Sequence, residues 1–263
     1  MGVLAAERIK LTSVKSPWWC SGIVIVIGIG FAWLMGFSAR MAWDNYQEIQ
    51  QPGFEQWLIS PYEATLGIHG FGVLVLMILA ALVVTSEYRF GVIRNTFLAA
   101  NQRGKVLLSK AALTAVLAAV LSAAVTLGAL VLAQLAAGSD AGAQLGLSGS
   151  DSGRLLYTIP LYAALAMFLA VGVGAIVRQT AGAVAILLLW PLVIESIVTV
   201  LPRVGEHVGP FLPFANANLF ISGDAMAVGG NFHWGPWGGI AYFAAFVAIV
   251  FAASIALVNS RDA

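Results

Sequence analysis

The chain has 263 residues, 60% of them hydrophobic and only 10% charged, with a formal net charge of +1. Soluble domains carry about 25% charged residues, so one aqueous core cannot hide this much apolar surface and a bilayer is the expected solvent. The near-neutral balance gives no reason to expect nucleic acid as a partner.

Cys20 is the one cysteine, which excludes an intrachain disulfide. His69, His207 and His233 are scattered without metal-ligand spacing, so no metal is expected.

Residues 1–17 alternate apolar Leu4, Ile9, Leu11 and Val14 with Glu7, Arg8, Lys10 and Lys15. This pattern predicts an amphipathic helix on the inner membrane surface, its bases toward anionic headgroups. Pro17 is expected to end it, and Trp18-Trp19 fits an interfacial aromatic belt. The alternative is a disordered basic tail that only sets orientation.

Spans are predicted at about 20–39, 65–85, 106–137, 155–177, 181–201 and 238–259, forming a single transmembrane domain over 1–263. The first is too long for a signal-peptide core and reads as an uncleaved anchor. Residues 40–64 are acidic and read as an outside loop. Residues 138–153 read as a flexible Gly/Ser linker. Within the outside segment 202–236, FLPFANANLF is too apolar for an ordinary loop, and short helices dipping into the outer leaflet are expected. The third span is long, so Lys110 is expected to snorkel. In it Ala111, Ala115, Ala119 and Ala123 form a four-residue repeat, either a close-packing ridge or simply abundant alanine.

Of the 13 basic residues, all but Arg40, Arg154 and Arg203 fall on one side of this topology. That bias predicts a multi-pass protein of the cell membrane with both termini cytoplasmic. Arg89, Arg94, Arg103 and Lys105 lie in the loop 86–105, SEYRFGVIRNTFLAANQRGK, where Val92 to Ala100 suits a short helix that a soluble partner would grip.

Two groups stand out chemically. Glu195, in LLLWPLVIES, is the one acid inside a predicted span. Such groups usually face a bundle interior or cavity, so it is either a polar point on a translocation pathway or gate, or a carboxyl bonded to a neighbouring helix or the outer-loop backbone. Pro191, one turn earlier, removes a backbone donor. Glu87, Tyr88 and Arg89 close the second span. They are either a solvated helix end with a surface ion pair or a contact surface for a cytoplasmic partner. The chain has no G-x-x-x-x-G-K-[ST] phosphate loop, no H-E-x-x-H and no G-x-S-x-G, so no catalytic residue or cofactor is expected in it.

AERIKLTSVKSPWW, SEYRFGVIRNTFLAANQRGKVLLSK, LLLWPLVIES and FLPFANANLF, in this order and across nearly the whole chain, resemble the permease subunits of type-2 ATP-binding-cassette (ABC) exporters, especially those of high-GC Gram-positive bacteria. The resemblance implies an all-α membrane fold of six spans, with an amphipathic elbow helix near Ala5 to Ser16 and a coupling helix centred on Glu87 to Ala100. It implies ATPase coupling through Glu87, Tyr88, Arg89 and Arg94, re-entrant outer helices between the fifth and sixth spans, and Glu195 near the pathway. It also implies two ATPase subunits that bind the ATP and Mg, and a second permease copy or a related permease. The expected activity is export of a hydrophobic or amphipathic cargo such as a drug, antibiotic, lipid or peptide. The rivals are a stand-alone secondary transporter or channel, disfavoured by the lack of midplane ion-coupling groups, and a membrane scaffold recruiting a cytoplasmic partner.

Overall fold

The computed structural model describes residues 3–49, 59–93, 103–147, 150–201, 203–224 and 231–260. Among them there is no strand, and six helices are long and apolar enough to cross a membrane. The chain is an all-α, multi-pass membrane protein.

A short helix α1 (Val3–Ser13) precedes α2 (Ser16–Ile49). Pro17 begins α2 rather than ending α1, at a first-turn position where no N–H is needed. The helix also runs ten residues beyond the predicted span into the acidic segment, where Arg40 and Asp44 face each other one turn apart at 4.0 Å. Next comes α3 (Pro61–Ala64), started by a capping box in which Ser60 and Glu63 satisfy each other's backbone amides. The second span joins a π-turn, Gly67–Gly72, to α4 (Val73–Arg89).

Helix α5 (Arg103–Ala141) turns through Gly138 at φ 86°. The predicted linker that follows is mostly folded. A 3-10 turn at Ala143–Leu145 leads toward α6 (Ser150–Val177), and Leu145 is buried with Ala137 and Ala141. The alanine ridge is real but not at constant four-residue spacing. An α-helix turns in 3.6 residues, so Ala119 and Ala123 drift to half-burial while Ala111, Ala115, Ala118 and Ser122 stay buried. Farther along, Ala129, Ala133 and Ala137 pack with Ala32 and Ala39 of α2, where small side chains let backbones approach.

The fifth span is α7 (Thr180–Leu189), a second π-turn at Trp190–Glu195, and α8 (Ser196–Val200). Pro191 has no N–H for the i−4 carbonyl, and the wider π-turn begins beside it. Three short elements follow: α9 (Val204–Val208), a 3-10 turn Gly209–Phe211 and α10 (Pro213–Ser222). The last span is α11 (Pro236–Ser260). Helices α4 and α6 form the centre of the bundle, whereas the first, fifth and sixth spans leave most of their residues on the outside. The exposed apolar side chains on those three suit lipid or another protein.

Candidate functional site

The two ends of the bundle carry the polar structure. At one end α1 lies against the end of α4 and the start of α5. Glu7, on α1, turns inward and is 4% exposed, while Leu4 and Ile9 face outward. Lys110, on α5, is 2% exposed and lies between two carboxylates, 2.6 Å from Glu7 Oε2 and 2.7 Å from Glu87 Oε1. Lys10 closes the ring from the rim, 3.0 Å from Glu7 Oε1 and 3.0 Å from Glu87 Oε1. Burial works against the Lys10 charge, but its hydrogen bonds to Glu87 and Glu7 outweigh it and hold the ammonium above its ordinary value. Two acids and two lysines balance in charge, which is how a buried ionic group is tolerated.

Lys110 therefore does not snorkel, because two carboxylates inside the bundle bind it more closely than an interface would. Glu87 is a buried member of this ring rather than a solvated helix end. Beside it, Tyr88 is half-buried under the Arg178 guanidinium, 5.1 Å from the ring centre. Arg178 sits in the turn between the fourth and fifth spans at φ 58°, a conformation rare for a side-chain-bearing residue. Arg89 and Phe90 are exposed at the tip. Arg94 and most of the Val92–Ala100 segment lie outside the described residues. A cleft of about 290 Å³ runs along α1, walled by the ring and by Leu11, Val14, Val83 and Phe90.

At the other end, α10 is held at both termini. Glu195 is buried and accepts from the backbone amides of Phe214 (3.1 Å) and Ala215 (2.8 Å) and from Trp190 Nε1 (2.9 Å). These amides belong to the first turn of α10, where a helix has no internal acceptors for its N–H groups and its dipole favours negative charge. Arg154, on α6, donates to the Phe220 carbonyl at the opposite end, beside Gly223 in the left-handed conformation. Between them Asn216 donates to the Pro210 (2.7 Å) and Leu212 (2.8 Å) carbonyls and accepts from Trp234 Nε1 (2.7 Å). Of the two sequence readings of Glu195, the bond to the outer-segment backbone is present. The same carboxylate also lines a cavity of about 220 Å³.

Sequence reasoning named Glu87 and Glu195 but missed Glu7, Arg154 and His69 as their companions. Glu7 is the sole acid of the N-terminal segment and Arg154 one of three bases on the acidic side. Those were the available signals. No family model, curated protein or solved structure matches the chain.

Proposed function

We propose that the chain is the permease subunit of an ATP-binding-cassette exporter of the type-2 class. It moves a hydrophobic or amphipathic cargo out of the cell. ATP and Mg are bound by two separate ATPase subunits, and a second permease copy or a related permease completes the pathway. The basic end of the bundle is then cytoplasmic.

The observation that carries this reading is the buried ring of Glu7, Lys10, Glu87 and Lys110. It ties α1 to the two helices that flank the basic segment 90–102. A partner pushing on that segment would move α1 and the second and third spans together, as rocking between inward-open and outward-open states requires. Arg89 and Phe90 are exposed at the tip and are available to the partner. In this scheme Glu87 and Tyr88 transmit force from inside the bundle rather than touch the ATPase. Glu195 and α10 form the outer gate.

Mass spectrometry of the intact assembly, purified gently from its native membrane, tests the reading. Two permease chains with two ATPase chains is the expected composition. Reversing the tip charge with Arg89→Glu should then reduce ATP-coupled transport while the chain still reaches the membrane. A chain that cross-links only to itself would overturn the proposal.

A further inference from the structure

We infer that the cavity between the two π-turns binds a protonated amine. It lies where the π-turn of the second span, the π-turn of the fifth and the start of α10 meet. A π-turn interrupts a regular helix and is frequent at functional sites. Here two of them, far apart in sequence, wall one cavity.

The polar groups of the cavity define the ligand. His69 is 3% exposed, and its Nδ1 lies 3.5 Å from Thr65 Oγ1. The hydrogen of that hydroxyl goes to the carbonyl of Pro61 (3.1 Å) or Tyr62 (3.0 Å). With the hydroxyl hydrogen on a carbonyl, Oγ1 accepts from the ring; this assigns the tautomer with the hydrogen on Nδ1 and a lone pair on Nε2. Among the described residues no donor reaches Nε2, and a buried acceptor without a partner is destabilising. On the facing helix, Glu195 Oε1 accepts two hydrogen bonds and Oε2 accepts one. A carboxylate has about four lone-pair sites, so Oε2 retains capacity for one more donor.

Tyr162 and Asn218 add a hydroxyl and an amide to the wall, and between them the site offers the Nε2 and Oε2 acceptors and the charge of the Glu195 carboxylate. An anion would be repelled. A metal ion needs more ligating side chains than His69 and Glu195 supply, and among the described residues no group of three or more is gathered. An ammonium group brings N–H donors for both acceptors and a positive charge that a neutral alcohol lacks. Tyr162 and Phe214 in the wall suit a cation on an apolar stem. Leu192, Ser196 and Thr199 border the cavity from the exposed side of the fifth span. An amphipathic amine can therefore enter from the lipid and leave its chain there. None of this depends on ATP or on an ATPase partner.

The test is equilibrium binding of radiolabelled n-octylammonium to the full-length chain in lipid nanodiscs, with empty nanodiscs subtracted. Saturable binding is expected. Unlabelled octan-1-ol should not compete, and octyltrimethylammonium, which has no N–H, should compete about tenfold more weakly than octylammonium. His69→Leu, close in volume, should weaken binding by about tenfold, and Glu195→Gln by more. Absence of saturable binding to the folded chain, equal competition by octanol, or unchanged binding by folded His69→Leu would each overturn the site. The analogue comparison uses the unaltered chain, so it decides even where a variant does not fold. With no ATP or ATPase in the assay, failure here leaves the exporter reading untouched.

Discussion

Lys110 and Glu7 are 103 residues apart in the chain, yet the Lys110 ammonium donates to the Glu7 carboxylate across 2.6 Å with both side chains buried. This bond attaches α1 to the bundle. A buried pair gives modest net stability when intact, because removing both charges from water costs nearly what the pair regains. Breaking it strands a charge and costs about 3–5 kcal/mol. Lys110→Met leaves two carboxylates sharing the single ammonium of Lys10, one negative charge in excess, so unfolding of the micelle-bound chain, followed by circular dichroism, should show a loss of that order. Adding Glu7→Gln should recover part of it, a coupling that a double-mutant cycle reads directly. A loss of under about 1 kcal/mol would mean these charges reach water and behave as a surface pair.

Lys10 gives the same ring a pH limit. Its folded value is raised, since the hydrogen bonds to Glu87 and Glu7 outweigh burial. A raised base contributes stability that is complete below its unfolded value, about 10.4 for lysine. That contribution is lost as pH rises through the higher folded value. Hydrogen exchange of α1, corrected for its intrinsic pH dependence, should show steady protection from neutral pH to about pH 10 and a decline above it. Lys10→Met should remove that alkaline decline. The same decline persisting in the variant would assign it to another group.

At the opposite end, Glu195 and Arg154 hold the two termini of α10. Removing the carboxylate with Glu195→Ala leaves two buried amides without an acceptor, at a cost of about 1–3 kcal/mol. Arg154→Met should loosen the C-terminal turn instead. Amide exchange should rise first at Phe214 and Ala215 in one variant and around Phe220 in the other. Uniform loosening of the whole segment by either change would mean α10 opens as one unit.

Six apolar runs, the excess of bases on one side and the break at Pro191 were legible in the sequence because each is a local property. The partners of Glu87 and Glu195 were not. Glu7 read as part of a polar helix face because amphipathic periodicity assigns charges outward, and only packing against α4 and α5 reverses that. His69 looked like an isolated histidine because its relation to Glu195 arises from two π-turns on different helices. GIHGFG gives no periodic signal for the first of these. Loop lengths were overestimated at residues 40–49 and 138–145, where polar and glycine residues continue helices that tertiary contacts support.

Gly67 opens the first π-turn at a close approach between the first two spans. A Cβ there would fall 2.7 Å from the Ile27 carbonyl oxygen and 2.5 Å from Phe31 Cβ, contacts that only a backbone shift relieves. Such overpacking costs about 1–3 kcal/mol, so Gly67→Ala should destabilise the chain by about that amount. It should also displace His69, two residues along, and so alter the amine site. Gly30 lies on the exposed side of α2, and a methyl group added there would meet no atom of the described residues within 4 Å. Gly30→Ala should therefore be neutral or stabilise by up to about 1 kcal/mol, because alanine is the better helix former. Thermal unfolding of the two variants side by side separates the effects. Equal behaviour would show that the first and second spans are not in close contact at Gly67, which would also remove the packing that fixes the π-turn.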